Sequence, residues 1–594
     1  MLASRYVVGI DLGTTNSALA FAETGGSVTQ LLPIPQVVQP GQVEERLLLP
    51  SFLYLPRPGE VPTGSLRLPW AADRDYAVGE YARRQGSQVE TRLVASAKSW
   101  LCHPGVDRRA AILPFKAGEG DRRISPVEAS TLYLRHLVEA WNASFPSDPL
   151  PAQEILLTVP ASFDAVAREL TVEAAQAAGL EHLTLLEEPQ AAFYAWLDQQ
   201  GDAWRDQVRV GDVILICDVG GGTTDLSLIA VEEEDGRLML RRVAVGDHIL
   251  LGGDNMDLTL AYFLAKKLGS KLDLGQMLLL RHAAREAKEA LLTDYSKSSV
   301  PITVVGRGTK LIGGTLRTEL TRDELTAQLL DGFFPSVGAD AVPRAAHLAG
   351  FAEMGLPYAS DPSLTAHLAY FLRRHANDLS KSRQGPPQPT AVLFNGGVFK
   401  AEAFQQRVID ALNRWSAGHA QPIKVLPSAD LDLAVAKGAA YYGQVRHGKG
   451  VRIRGGTSRS YYIGIETARP AVPGVPPPFK ALCVVPFGME EGTETDVPGH
   501  ESFLLVNTPA EFRFLGSTVR QSDPVGLMLE EWDEHQLEEM APLSTTLVDP
   551  TGATHYIPVR LHSKVTEIGI LELWCLSRDG QQRWKLEFNI RDKR

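Results

Sequence analysis

Cysteine is scarce in this chain: the 594 residues hold four, Cys102, Cys217, Cys483 and Cys575, and none forms a Cys-x-x-Cys pair. That argues against a disulfide framework and a thiolate metal ribbon. Cys217 and Cys575 fall in apolar runs and read as small buried hydrophobes; His103, next to Cys102, reads as a loop or helix end. Positive charge is in deficit, 59 Lys and Arg against 71 Asp and Glu for a net −12, which argues against a nucleic-acid binder on bulk electrostatics. Long apolar runs are missing too. None approaches the ~20 residues that cross a bilayer, and Met1-Leu-Ala-Ser-Arg leads straight into an apolar strand. Neither a membrane span nor a secretion leader is expected, and a reducing cytoplasm fits. The remaining composition, 44% hydrophobic and 22% charged, is that of ordinary globular domains, and the length calls for several of them.

Two segments roughly two hundred residues apart carry nearly the same pattern. The first is Tyr6-Val-Val-Gly-Ile-Asp11-Leu-Gly13-Thr14-Thr15-Asn16, and the second is Val213-Ile-Leu-Ile-Cys-Asp218-Val-Gly220-Gly221-Gly222-Thr223-Thr224-Asp225. Each is an apolar, β-branched run that ends in an aspartate and breaks into a Gly/Thr turn, which reads as a buried strand entering a tight loop. Glycines let backbone N–H groups face an anion without Cβ interference. An aspartate at the strand end is placed to hold a metal ion through water, as Mg²⁺ prefers. Two such loops facing each other would clamp a triphosphate from both sides. A single Gly-rich turn is weak evidence; the pair is much stronger. No Gly-Lys-Ser/Thr follows, so this is not a Walker loop. After Asp11 the chain continues into Ser17-Ala-Leu-Ala-Phe21, a second strand rather than the helix of a dinucleotide fold.

These loops resemble the phosphate 1 and phosphate 2 motifs of the actin / hexokinase / heat shock protein 70 superfamily, in the wording of its DnaK-like chaperones. Other segments agree in order and spacing: Thr158-Val-Pro160-Ala-Ser-Phe163, Leu186-Glu-Glu188-Pro189, Leu251-Gly252-Gly253-Asp254-Asn-Met-Asp257, the adenosine motif Phe394-Asn-Gly396-Gly397, and the closing helix from Asp432 to Ala440. The similarity spans about residues 5–445. It implies a two-lobed ribonuclease-H-like (actin-like) α/β ATPase domain that binds ATP/ADP and Mg²⁺. On that resemblance Asp11, Asp218 and Asp225 order the Mg²⁺ shell and the water, with Asp11 and Asp218 as the metal's residues and Asp218 and Asp225 counted as catalytic. Lys98, Glu188 and Thr223 position the nucleophile and the γ-phosphate. Gly13, Thr14, Thr15, Asn16, Gly220, Gly221 and Gly222 cradle phosphates. Gly252, Gly253, Lys288, Gly396, Gly397, Lys400 and Asp432 complete the nucleotide site. Lys98 sits in Leu93-Val-Ala-Ser-Ala-Lys98-Ser-Trp-Leu101. A fixed ammonium there would offset charge developing on a transferred phosphoryl group; without the matched context it would read as a solvated helix lysine. Pro160 reads either as a strand terminator or, by resemblance, as a relay between lobes.

The chain departs from that pattern in the adenine pocket. Arg285 and Leu292 stand where the family has Glu and Ser, and Val398-Phe399-Lys400 replaces its Ser-x-Arg. Lys is a poorer planar stacker than Arg. A segment at about 330–390 is longer than the family's and contains a helix candidate, Leu364–Arg374, with Leu364, Leu368, Phe371 and Leu372 on one face. It reads as a packed insertion that ends in a surface linker at 384–389.

Near residue 446 the pattern changes. Before it, strands alternate with helical stretches such as Ser125–Trp141, Ala165–Ala178 and Met256–Leu268, an α/β arrangement. After it come eight short strand candidates, beginning at 460, 481, 502, 510, 544, 556, 568 and 584, with one helical or acidic insert at Leu529–Met540. That predicts an all-β sandwich or barrel. The expected organisation is an ATPase domain at 1–445, a basic linker at 446–456 with no leucine run to bury against the ATPase, and a β-sandwich at 457–594. The sandwich loosely resembles the chaperone substrate-binding domain through Tyr462-Ile-Gly-Ile-Glu466 and Gly569-Ile-Leu-Glu-Leu573, and a lidless form is expected.

The resemblance implies an ATP-dependent chaperone that acts on unfolded proteins or one dedicated client, with a co-chaperone or exchange factor. A metabolite kinase on the same fold and a regulatory or assembly protein are the alternatives.

Overall fold

Each Asp-ended run forms the middle of a six-stranded sheet, and the local order is the same in both. Tyr6–Leu12 pairs antiparallel with Asn16–Glu23 and parallel with Glu154–Val159. Val213–Val219 pairs antiparallel with Thr224–Glu234 and parallel with Ala391–Asn395. The first sheet runs Leu183–Glu187, Glu154–Val159, Tyr6–Leu12, Asn16–Glu23, Gln30–Leu31, with Leu49–Pro50 added to Asn16–Glu23. The second runs Lys424–Leu426, Ala391–Asn395, Val213–Val219, Thr224–Glu234, Arg237–Val245, Ile453–Arg454. The middle strands are buried almost throughout, which is why they read as unbroken apolar runs. In both, the aspartate is the penultimate residue.

This computed structural model describes residues 4–588 except 27, 104, 235–236, 270–271, 305–314, 345–355, 377–387, 417–420, 429, 455, 467–478, 491, 499–501, 534, 547, 549–553, 567–569 and 579–581. Most of the linker expected at 384–389 lies outside the described residues, as does Gly569.

Two helices, Glu188–Gln200 and Ala434–Arg446, join the sheets. Ala191 and Phe193 of one and Val435 and Ala439 of the other share a core with Val7 and Leu156 of the first sheet and Ile214 and Ile216 of the second. The helices touch at Gly438, where a Cβ would fall on the Ala191 backbone. Pro126–Ser144 and Ala165–Ala177 cover the far face of the first sheet. Ser125 and Asp164 cap their N-termini by accepting from the Glu128 and Ala167 amides. Gly253–Leu268, Leu274–Thr293 and Leu364–Arg374 cover the second sheet, and the expected face of Leu364, Leu368, Phe371 and Leu372 is buried there.

Every described element after Arg446 is a strand. One sheet orders Met528–Leu529, Phe479–Val485, Ser460–Glu466, Phe514–Ser517 and Glu538–Glu539. The other orders Glu494–Asp496, Tyr556–Val565, Leu571–Ser577, Arg583–Phe588, Leu543–Thr546 and Pro509–Phe512, with Ser502–Leu505 also on Tyr556–Val565. Residues from both sheets, among them Tyr461, Ile463, Leu482, Leu561 and Leu573, fill one core between them.

Three expectations are corrected here. The strand expected over 510–515 is two: Pro509–Phe512 pairs with Leu543–Thr546, Phe514–Ser517 pairs with Ser460–Glu466, and the chain changes sheets at Arg513. The described residues of Leu529–Met540, expected as a helical or acidic insert, form no helix, so the insert is acidic only. Its acidic residues instead meet cations on neighbouring strands, Glu538 with Arg459 at 2.5 Å, Glu539 with Arg513 at 2.7 Å, and Glu530 with Lys480. The basic linker, for its part, does bury apolar side chains. Ile453–Arg454 joins the second sheet in parallel with Leu240 and Arg241, Ile453 enters the core with Val451 packed against it, and the Ile453 amide donates to the Tyr194 hydroxyl at 2.8 Å. Strand alternation explains this: Val451 and Ile453 face in while Arg452 is exposed.

The β portion packs directly on the α/β portion. Ala165 belongs to the same core as Tyr461 and Ile463. Gln521 donates to the Val243 carbonyl at 2.9 Å, and Arg374 pairs with Asp247 while donating to the His535 carbonyl at 3.3 Å. No helix among the described residues is long and apolar enough to cross a membrane.

Candidate functional site

The two Asp-ended turns face each other across a cleft of about 420 Å³, a size suited to a small organic ligand. The first turn is fixed from beneath: the Ser51 hydroxyl donates to the Gly13 carbonyl at 2.8 Å, and the Ser51 amide to the Thr15 carbonyl at 3.0 Å. The second is fixed by the segment after it, with the Gly253 amide on the Gly220 carbonyl at 3.1 Å and the Asp254 amide on the Gly221 carbonyl at 2.7 Å. The turns interlock. A Cβ on Gly221 would overlap the Thr15 side chain, and one on Gly222 would lie 2.7 Å from the Thr14 methyl. Gly396, at the end of a third strand, has φ 86°, the left-handed region that glycine adopts without strain.

Most of the residues singled out in the sequence line this cleft: Asp11, Gly13, Thr14, Thr15, Asn16, Lys98, Glu188, Asp218, Gly220, Gly221, Thr223, Gly253, Lys288, Gly396, Gly397, Lys400 and Asp432. Three do not. Gly222 and Gly252 pack behind the lining, against Thr14 and the Gly220–Gly221 backbone respectively. Asp225 is buried beside Asp218 in strand register and accepts from the Ser162 hydroxyl at 2.7 Å.

The carboxylates crowd one another. Burial, then the negative Glu188, pushes Asp11 up to about 7 and Asp218 up to about 8. Burial likewise raises Glu188 and Asp225. Lys98 lies on the short helix Ala97–Trp100 and pairs with Glu188 at the start of its helix. Burial opposes the Lys98 charge, but Glu188 and Asp11 outweigh it, and its pKa stands above the usual lysine value. Asp11, Glu188 and Asp225 thus share the one ammonium of Lys98, while Arg285, Lys288 and Lys400 of the lining are paired with acids of their own.

Three partners were not singled out as site residues. Asn395 donates to Asp218 at 2.8 Å from the parallel neighbouring strand, at the position paired with it. The signal was present, since Asn395 directly precedes Gly396-Gly397. Asp257 holds Lys288 at 2.6 Å, and burial raises its carboxyl. Ser162 bridges Asp225 and His248, both at 2.7 Å, a contact between segments far apart in the chain that no local pattern announces. In the outer part of the cleft, Arg285 and Leu292 both line the wall, and Arg285 is held by Glu289 at 3.0 Å. Lys400 pairs with Asp432.

This donor set fits a hydrated Mg²⁺ and a polyphosphate. Among the described residues, no three His, Cys, Asp or Glu groups gather into a closed cage for one metal ion. Mg²⁺ needs none: it keeps several waters and takes one or two carboxylates plus substrate phosphates. The excess negative charge calls for a cation between Asp11 and Asp218. The Gly/Thr turns supply backbone amides and hydroxyls where phosphates would lie.

Comparison with known proteins agrees with this geometry. The family described as Hsp70 protein matches residues 64–339, a stretch that includes Lys98, Glu188 and the second Gly/Thr turn. The chain is 31% identical over 344 residues to the chaperone protein HscA homolog of Pseudomonas paraeruginosa (strain DSM 24068 / PA7), covering 55% of this chain and 47% of that protein. It is 32% identical over 338 residues to the HscA homolog of Pseudomonas fluorescens, covering 54% and 46%. It is 30% identical over 333 residues to the chaperone protein DnaK of Thermotoga neapolitana, covering 54% and 48%. The chain spans about half the length of these curated relatives. Over residues 64–339, and in these relatives, the chain is similar to the heat shock protein 70 family.

Proposed function

We propose that this protein is a Mg²⁺-dependent ATPase of the chaperone type, in which ATP hydrolysis in the cleft controls a β-sandwich that binds protein clients in the cytoplasm. The observation that carries the reading is the repeated strand unit, two penultimate aspartates facing one cleft across the Lys98–Glu188 pair. The domains would be an actin-like, ribonuclease-H-like ATPase at 1–445, a linker at 446–456 and a sandwich at 457–594. A Mg²⁺ held in the cleft would supply positive charge against the triphosphate. Asp11 and Asp218 would hold its water shell, with Asn395 fixing the Asp218 carboxylate. The amides and hydroxyls of Gly13–Thr15 and Gly220–Thr223 would bind phosphate oxygens. Glu188 and Asp225 would orient the attacking water, and Lys98 would stabilise charge on the transferred phosphoryl group. Lys288, Lys400 and Asp432, with Gly396 and Gly397, would hold the nucleoside.

Docking of Ile453 on the second sheet supports a link from lobe position to the sandwich, since a shift of that sheet edge moves the strand leading into it. The sandwich would bind extended apolar segments by strand addition or in a shallow groove, with a co-chaperone or exchange factor acting on the cycle. Single-turnover hydrolysis with and without small hydroxylated acceptors tests the reading. Release of inorganic phosphate irrespective of acceptor supports it; transfer to an acceptor would make the protein a metabolite kinase. Fluorescence anisotropy with unrelated apolar peptides tests the sandwich, and binding to none of them would leave one dedicated client.

A further inference from the structure

A second cavity, of about 190 Å³, lies where the first sheet, the linker strand and the β portion meet. It is lined by Arg168, Arg242, Arg446 and Arg452 against one acid, Glu187. Glu187 is buried and pairs with both Arg168, at 2.7 Å, and Arg242. One carboxylate therefore serves two guanidinium groups at the floor of the junction. Arg242 is 3% exposed; its second terminal nitrogen donates to the Gly456 carbonyl on the cavity wall, and its Nε is buried without a hydrogen-bond acceptor. Arg446 has its own acid outside the cavity, Glu154 at 3.2 Å. A buried cation that shares its counter-ion is costly unless a further anion or acceptor completes it, and here the open space lies beside it. Thr457 and Ser458 complete the same wall, with their hydroxyls donating to the Pro486 and Ala161 carbonyls, so the arginines are the cavity's anion-binding donors. The volume is several times the ~30 Å³ share of one water.

We propose that this junction cavity binds a small tetrahedral oxyanion of the phosphate class. Guanidinium groups form paired N–H···O bonds with phosphate oxygens, and Arg is the residue suited to such sites. Its walls come from three parts of the chain: Arg168 and Glu187 from the first sheet and its helix, Arg446 and Arg452 from the linker region, and Tyr461, Val565 and Leu571 from the β portion. An anion here ties the three together and favours the docked arrangement by mass action. The proposal does not rest on the ATPase reading, because this cavity shares no lining residue with the nucleotide cleft.

The test is a thermal-unfolding titration of the full chain with inorganic phosphate, kept saturated with Mg²⁺-ADP so that the nucleotide cleft is occupied, against NaCl of matched ionic strength. Because Arg242 is buried, the variant is the exposed pair Arg446→Ala with Arg452→Ala. The expected result is a saturable rise in Tm beyond the NaCl control, with its midpoint moved at least about tenfold to higher phosphate in the double variant and ADP affinity unchanged. A parallel titration with glycerol phosphate separates a free anion from a phosphate ester: a lower midpoint for inorganic phosphate supports the free anion, and a lower midpoint for the ester supports a phosphorylated ligand at the same cavity. No rise beyond NaCl with either probe, or a midpoint indifferent to loss of both arginines, overturns the proposal.

Discussion

Replacing Asp218 by Asn tests whether the cleft carboxylates oppose one another when no cation lies between them. Burial and Glu188 lift the Asp218 carboxyl from an ordinary 3.8 to about 8. Between those values the folded protein holds a proton that the unfolded chain has released. The contribution of this group to stability therefore falls as pH rises through that window and levels off above it. Over the three pH units from 5 to 8, the ceiling at ~1.36 kcal/mol per unit is about 4 kcal/mol. Asparagine stays neutral throughout and can still accept from Asn395 at its amide oxygen, so the variant should lack this slope. The assay is unfolding of nucleotide-free, Mg²⁺-free protein at pH 5 and pH 8. The stability of Asp218→Asn relative to wild type is expected to rise by at least about 1 kcal/mol between the two, a few degrees in Tm. A difference that is flat with pH, or one that shifts against the variant at pH 8, would refute the picture of an uncompensated carboxylate.

Lys98→Ala is expected to lower kcat by about 10²-fold or more, the scale of one lost electrostatic donor, and to spare ATP affinity; a loss confined to affinity would make Lys98 a ground-state contact only. Gly221→Val drives a side chain into Thr15, and isothermal titration should find nucleotide binding abolished while the circular dichroism stays near wild type. Ile453→Asp puts a charge into the core that this strand now fills, and limited proteolysis at 446–456 should become faster by tenfold or more with ATPase turnover retained.

The elements legible in the sequence were those with a strong local period or a fixed turn chemistry. The runs before Asp11 and Asp218 announced buried strands because both faces are covered, and the stretches Ser125–Trp141 and Ala165–Ala178 were legible as helices, with the capping roles of Ser125 and Asp164 seen only in the structure. Leu364–Arg374 was visible because its apolar residues share one face. The segment Leu529–Met540 misled because its acidic residues suit a solvated helix, and only the cations on neighbouring strands, Lys480, Arg459 and Arg513, give them another place. The linker misled because its charge hid a two-residue alternation at a sheet edge. Within the site, the turns were legible as motifs, but the contacts of Ser162 with Asp225 and His248 join segments more than sixty residues apart. Tertiary packing sets such pairs, and no local propensity encodes them.

The most direct measurement of the central claim is ATP turnover by the purified chain with Mg²⁺ and with excess EDTA, for wild type and for Asp11→Asn and Asp218→Asn. Expected is phosphate release that requires Mg²⁺ and falls by about 10²-fold or more in both variants, in line with the loss of one charged group from the metal's surroundings. Turnover that persists in EDTA, or wild-type rates in both variants, would contradict a metal–triphosphate clamp built on the two strand-end aspartates.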